Sequence, residues 1–172
     1  MGQTDFNVEV RSFREARVSR FSLFYFFVFE FALQTMKVYG IGTDITEISR
    51  IADMLSRHGD SFKNLTFTDL EIRYCEGHRN SNENFAARWS AKEAILKALG
   101  TGYADGIKWR DLEIRNLLSG KPVVAIGGRV LEIAREQNLC DFLVTLSHCK
   151  KYATATAIII QGDEVYSEII DD

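Results

Sequence analysis

Arg88-Trp89-Ser90-Ala91-Lys92-Glu93-Ala94-Ile95-Leu96-Lys97-Ala98-Leu99-Gly100-Thr101-Gly102 is the stretch that decides the architecture. Ala, Leu, Lys and Glu are strong helix formers, so this is a helix, and Gly-Thr-Gly ends it. Phe85, Trp89, Leu96 and Leu99 are its core candidates. Residues three and four apart share a face, so Glu93 neighbours Trp89 and Lys97, while Arg88 and Lys92 form a second pair beside it. Taken alone, the polar residues describe a surface helix laced with ordinary ion pairs. Past Gly102 the apolar period changes from helical to two. Residues 109–114 alternate as a strand, Ser119-Gly120 is turn material, and residues 122–126 return with Pro122 at the first strand position, where it is tolerated. Gly127-Gly128 leads into a helix with Val130, Leu131 and Ala134 inward. Residues 142–148 and 152–160 form a last hairpin. Helices followed by paired strands give an α+β class, with helices packed on one side of a small, mainly antiparallel sheet.

Upstream, residues 37–43 alternate Val38/Gly40/Gly42 with Tyr39/Ile41 and read as a strand whose glycines admit another backbone or a ligand. Gly40-x-Gly42 lacks the third glycine of a dinucleotide fingerprint. Asp44 is expected to end the strand, and Ile48, Ile51, Ala52 and Leu55 then mark an amphipathic helix closed by Gly59. Asp44-Ile45-Thr46-Glu47 has the spacing of a capping box. A carboxylate at such a junction also suits a metal or phosphate site, and the two roles are compatible. Arg50 and Arg57 share a face of that helix, either as a solvated surface or as a docking edge for an acidic partner. Thr68-x-x-Glu71 is a second capping box, opening a short helix to about Gly77. Asn80-Ser81-Asn82 is a loop before the central helix.

The 172 residues suit one domain with a real core, with apolar content of 46% and charged content of 26% in the globular range. A net charge of −3 and the lack of a basic run with interleaved aromatics argue against nucleic acid as a partner. Cys75, Cys140 and Cys149 show no CxxC spacing and are odd in number, which suggests reduced thiols and a cytoplasmic location. Residues 1–35 differ from the rest through an aromatic run at residues 21–33, too short for a span and interrupted by Glu30. Three readings stand: translation starting at Met36, an interfacial anchor or targeting segment, or an extra packed element. The domain proper is read as residues 36–162, with an acidic tail at 163–172.

Ser147-His148 resembles a nucleophile and base, but neighbouring strand residues face opposite ways, and no Gly-x-Ser-x-Gly elbow exists. His148 alone is a rim histidine or a donor to phosphate. What remains is Asp44 and Glu93 with Lys92, Lys97, Arg88 and Lys121. Two carboxylates completed by water and phosphate oxygens are typical Mg²⁺ ligation, and nearby cations suit phosphate oxygens. The residues alone lead to Mg²⁺-assisted chemistry on a phosphate ester, provided Asp44 and Glu93 meet.

Five segments in order carry a resemblance: Gly40-Ile41-Gly42-Thr43-Asp44-Ile45-Thr46-Glu47 with Arg50-Ile51; Trp89-Ser90-Ala91-Lys92-Glu93-Ala94; Lys97-Ala98-Leu99-Gly100-Thr101-Gly102; Ser119-Gly120-Lys121-Pro122; and Leu146-Ser147-His148. Together they resemble the holo-acyl carrier protein synthases, the short trimeric type of 4′-phosphopantetheinyl transferase, over residues 36–160. The resemblance implies transfer of 4′-phosphopantetheine from coenzyme A to a serine of apo-acyl carrier protein, releasing adenosine 3′,5′-bisphosphate, in support of fatty acid biosynthesis. It implies that Asp44 and Glu93 hold Mg²⁺ and that Lys97 joins them in catalysis. It further implies that Lys92, Arg88, His148, Lys121 and the Gly100 and Gly102 turn bind coenzyme A. The base would be Glu93 or a water on the metal. Arg50, with Arg57, would dock the acidic carrier. A homotrimer with active sites between subunits is implied, without nucleic acid and without a membrane partner. Cys149 departs from the family's usual Thr or Ser. The alternatives are a non-catalytic coenzyme A or nucleotide-binding module, and a membrane-surface domain organised by residues 1–35.

Overall fold

The computed structural model describes residues 36–162 and 168–170, within a compact unit spanning Met36–Asp172. Residues 1–35, with their three readings, and most of the acidic tail lie outside the described residues. Strand β1 (Lys37–Glu47) is followed by helices α1 (Ile48–Thr66), α2 (Asp69–Glu76) and α3 (Ser81–Leu99). A 3-10 turn (Trp109–Asp111) leads to β2 (Leu112–Asn116), β3 (Pro122–Ile126), α4 (Gly128–Glu136), β4 (Leu139–His148), β5 (Tyr152–Gln161) and the two-residue β6 (Glu168–Ile169).

The strands form two three-stranded sheets, ordered β1-β5-β4 and β2-β3-β6. All pairings are antiparallel except β3 with β6, as the alternation of helices and hairpins in the sequence predicts. Helix α3 lies on the inner face of the first sheet. Ala94, Ile95 and Ala98 pack there with Ala155, Ala157, Ile159 and Phe142 in the larger core cluster. A second cluster joins Ile48, Ile51, Phe62, Phe67, Phe85 and Ala153 where α1 meets α3. Phe85, Leu96 and Leu99 are buried and Trp89 packs between the clusters, as their spacing predicts.

Three local expectations are corrected. Strand β1 does not end at Asp44. Its ladder with β5 continues through Asp44↔Ala155 to Glu47↔Tyr152, so Asp44 caps no helix. Glu47 occupies the N-cap without a side-chain bond, and the first amide of α1, on Ile48, donates to the Lys151 carbonyl instead. Gly59 does break α1, with φ +49, but the chain turns back into helix as far as Thr66. The strand expected from Trp109 begins at Leu112. The Asp111 carboxylate accepts from the Lys108 and Arg129 amides, which folds 109–111 into a turn.

The outer face of the β1-β5-β4 sheet has no helix over it among the described residues. Ile41 and Ile45 are each 67% exposed there, beside Leu143 at 43%. Thr43 and Thr156 lie between them.

Candidate active site

The site begins with two glycines. On β1, Gly40, Gly42 and Asp44 share the inward face, because strand side chains alternate. A Cβ on Gly40 would stand 2.0 Å from the Ala98 carbonyl oxygen, and one on Gly42 would stand 2.1 Å from that of Ala94. Only glycine lets the strand lie this close to the α3 backbone. Two residues further along the same face, Asp44 meets the polar edge of α3, where Glu93 and Lys97 sit one turn apart.

Lys97 Nζ donates to Asp44 Oδ1 at 2.8 Å and to the Thr43 carbonyl at 3.1 Å. Thr46 Oγ1 donates to the other Asp44 oxygen at 2.8 Å, and Thr154 Oγ1 holds the Asp44 carbonyl at 2.7 Å. The Asp44 side chain is 13% exposed and Lys97 is 49% exposed, so the pair opens to solvent on the lysine side. Glu93 is half-buried beside them. Its pKa is raised, first by burial and then by the Asp44 carboxylate, while Lys97 and Arg50 pull it back. The two carboxylates therefore share one field with two cations around it. No hydrogen bond or ion pair among the described residues engages the Glu93 carboxylate.

That arrangement fits a hard divalent cation. A half-buried carboxylate without a protein donor, next to a second carboxylate fixed by a threonine and a lysine, offers anionic oxygens and leaves coordination positions for water and phosphate. Among the described residues, no group of three or more His, Cys, Asp or Glu is gathered to hold a metal.

A family profile for the 4′-phosphopantetheinyl transferase superfamily matches residues 40–157. The chain belongs to that superfamily. It is 38% identical over 122 residues to the holo-[acyl-carrier-protein] synthase of Koribacter versatilis, covering 71% of this chain and 98% of the relative. To that of Protochlamydia amoebophila it is 43% identical over 119 residues, covering 69% and 95%. Among solved structures, the holo-[acyl-carrier-protein] synthase of Neisseria meningitidis superposes with a TM-score of 0.67 at 28% identity, covering 72% of this chain and 98% of that one. A Bacillus anthracis holo-(acyl-carrier-protein) synthase in complex with CoA (3′,5′-ADP) gives 0.61 at 31% identity, covering 74% and 100%.

In this member of the superfamily, the other residues singled out from sequence fall in separate places. Arg50 and Arg57 are exposed on α1 and line a cavity of about 350 Å³ with Glu47, Ser49, Asp53 and Met54. Arg50 also acts on Glu93, so this groove adjoins the carboxylates. Gly100 and Gly102, at φ +77 and +59, turn the chain away after Lys97 in a conformation glycine adopts freely. His148 ends β4 and Lys121 follows the β2–β3 turn, both exposed. Neither has a contact with the Asp44 cluster among the described hydrogen bonds and ion pairs.

Arg88 and Lys92 are not on that surface. Arg88 is 3% exposed; it donates to Asn116 Oδ1 at 2.7 Å and lies 4.0 Å over the Tyr74 ring, with its Nε unpartnered. Lys92 is fully buried, which corrects its reading as a phosphate ligand. Its ammonium pairs with Glu71 Oε2 at 2.7 Å and donates to the carbonyls of Thr66 at 2.7 Å and Trp109 at 2.9 Å. Three donors meet three acceptors, so none is left for coenzyme A. Burial lowers the Lys92 pKa, while Glu71 and Glu113 oppose the shift. The signal was in the spacing: Lys92 precedes Leu96 and Leu99 by four and seven residues, on the face already assigned to the core. Glu71 was read only as a capping residue. It fills that role, accepting from the Thr68 amide at 2.9 Å, and adds the Lys92 pair and the Ile114 amide at 3.0 Å.

Proposed function

We infer that this protein transfers 4′-phosphopantetheine from coenzyme A to a serine of apo-acyl carrier protein. The observation that carries the reading is the juxtaposition of Asp44, Glu93 and Lys97 across β1 and α3, in a chain similar to holo-acyl carrier protein synthases. The nucleophile belongs to the substrate, so the enzyme needs no serine or cysteine of its own. Its task is electrostatic: hold a pyrophosphate, shield its charge and align the carrier serine with the β-phosphorus.

Asp44 and Glu93 would hold Mg²⁺, which, when bound, withdraws charge from the pyrophosphate oxygens. Lys97, anchored on Asp44 and half-exposed, supplies a mobile point charge toward the same phosphates. Thr46 and Thr154 keep Asp44 in one orientation. The groove lined by Arg50 and Arg57 offers positive charge to an acidic carrier, and its closeness to Glu93 would bring the carrier's serine to the carboxylates. His148 and Lys121, both exposed, supply the basic surface that a coenzyme A nucleotide requires.

The apolar outer face of the β1-β5-β4 sheet supports self-association, since exposed Ile41, Ile45 and Leu143 on one flat face seek a cover. In a homotrimer with active sites between subunits, His148 and Lys121 of one subunit would join Asp44 of another at a shared site. The odd, reduced cysteines agree with a cytoplasmic role in fatty acid synthesis; no described helix is long and apolar enough to cross a membrane.

The test incubates the purified protein with coenzyme A, Mg²⁺ and an apo-acyl carrier protein and weighs the carrier. The expected result is a carrier heavier by one phosphopantetheinyl group, with equimolar adenosine 3′,5′-bisphosphate released. An unchanged carrier with both Mg²⁺ and Mn²⁺ would overturn the reading and leave a binding module.

A further inference from the structure

Helix α3 presents Glu93 and Lys97, one half of the candidate site, yet most of its circumference is apolar or small. Phe85, Ala86, Ala87, Ser90, Ala91, Ala94, Ile95, Leu96, Ala98 and Leu99 are all buried. Apolar burial is non-directional, and against Gly40 and Gly42 of β1 the helix offers the backbone of Ala94 and Ala98 and the Cβ of Lys97. Such a smooth contact sets how close the helix lies to the strand but resists rotation about its own axis weakly. Rotation matters here. With a glutamate carboxyl roughly 6 Å from the helix axis, a turn of about 20° carries it by about 2 Å. A misplacement of about 1 Å at a reacting centre can cost on the order of 100-fold in rate.

Lys92, whose neighbour in sequence is Glu93, is a fully buried directional anchor next to the site, set beside the solvent-open bond from Lys97 to Asp44. Its side chain and that of Glu71 are both fully buried. From one ammonium, bonds run to the last residue of α1 (Thr66), to α2 (Glu71) and to the turn before β2 (Trp109). Glu71 is held in turn by the amides of Thr68 and Ile114. Three elements are thus tied to a single point on the side of α3 away from Asp44. A buried ion pair is weak evidence for stability, because desolvation offsets the attraction; its best-attested use is to fix register.

We propose that Lys92, locked to Glu71, Thr66 and Trp109, is a positioning residue that fixes the rotation of α3 and thereby aims Glu93 and Lys97 at Asp44. The proposal rests on the transferase reading of that cluster. Lys92 touches no substrate. It acts through the angle at which its helix presents the next residue.

The experiment compares the full-length wild type with Lys92→Met/Glu71→Gln, which removes both charges while keeping volume and a hydrogen-bonding amide at 71. Circular dichroism and thermal unfolding check the fold. Steady-state transfer gives kcat and KM, and electron paramagnetic resonance of free Mn²⁺ gives metal affinity without turnover. The expected result is a folded variant whose kcat falls about 100-fold, whose KM values for coenzyme A and carrier stay within about threefold, and whose Mn²⁺ affinity weakens about tenfold. A folded variant with wild-type kcat and wild-type Mn²⁺ affinity overturns the proposal, because the pair is then replaceable packing. Should the double variant fail to fold, Glu71→Gln alone decides by the same readouts, with an expected kcat loss of about tenfold and wild-type values again fatal. An inactive wild type would instead sink the transferase reading, leaving the Mn²⁺ comparison to judge the positioning role.

Discussion

Lys97 Nζ stands 2.8 Å from Asp44 Oδ1, joining residues more than fifty positions apart across the contact that Gly40 and Gly42 make possible. The bond is strand-to-helix, charge-assisted and open to solvent on one side, so Lys97 can exchange Asp44 for phosphate oxygens without leaving the site. Asp44→Asn keeps the shape and the threonine contact but removes the charge. We expect transfer to fall by at least about 100-fold, on the order of 3 kcal/mol of transition-state stabilisation, with the fold intact. Mass spectrometry of the carrier and circular dichroism of the enzyme check both halves, and a variant within tenfold of wild type would remove Asp44 from the machinery.

Glu93 yields a prediction of opposite sign for stability and activity. Its pKa is raised above the ordinary value of 4.5, chiefly by burial and by Asp44. A carboxyl that binds its proton more tightly when folded favours folding at low pH. That advantage is lost as pH rises from the unfolded value through the raised folded one. At neutral pH the ionised group is therefore a burden on the fold. Glu93→Gln should unfold at a higher temperature than wild type at pH 7, lose that advantage below about pH 4, and abolish transfer. Saturating Mg²⁺ should stabilise wild type but not the variant. Thermal scans across pH with and without metal measure this; a Glu93→Gln variant less stable than wild type at pH 7 contradicts the sign.

The glycines come next. A Cβ on Gly42 would also sit 2.6 Å from the Ala98 amide nitrogen, against helix backbone that has no flexible end to yield. Gly42→Ala should cost about 2 kcal/mol or more in urea unfolding and reduce activity further by lifting Asp44 off α3. Stability within about 0.5 kcal/mol of wild type would mean the strand can move without penalty.

The three predictions draw on features of unequal legibility. The inward set Gly40, Gly42 and Asp44 follows from a period of two, and the pair Glu93 and Lys97 from a period near four, so both halves of the site stand in the sequence. That they face each other is a long-range fact, hinted at by two glycines opposite two alanines. Asp44 reads locally as a cap because Asp-x-x-Glu spacing is local, while the ladder that overrides it pairs residues more than a hundred positions apart, Asp44 with Ala155. Lys92 was misread because its charge drew attention to the surface although its spacing placed it on the core face. Glu71 explains the difference, and a capping box gives no sign that its acid has a second partner from another helix.

On the docking groove the arginines separate two effects. Arg50 acts on Glu93, whereas Arg57 lines the same cavity two turns along α1. Arg57→Glu should raise KM for the carrier several-fold, leave KM for coenzyme A unchanged and lose its effect as salt rises, since exposed charges are screened. Arg50→Glu should do the same and lower kcat as well. Equal shifts in both KM values for Arg57→Glu would remove the docking assignment.

The outer sheet face supplies the last test. Ile41 and Ile45 are each 67% exposed, and neighbouring Thr43 already spends its hydroxyl on the Ala155 carbonyl, so little polar surface separates the two isoleucines. If subunits cover this face, a charge there is buried without a partner on assembly, a cost of several kcal/mol at each copy of the interface. A monomer would meet no such cost, because in it the lysine stays in water. Ile45→Lys should therefore leave the monomer's unfolding midpoint nearly unchanged while shifting light-scattering mass to that of one chain. Transfer should fall in parallel, since active sites formed between subunits are lost with the assembly. A variant that is monomeric yet fully active would show that one chain suffices; one that keeps its oligomeric mass would show that another surface holds the subunits together.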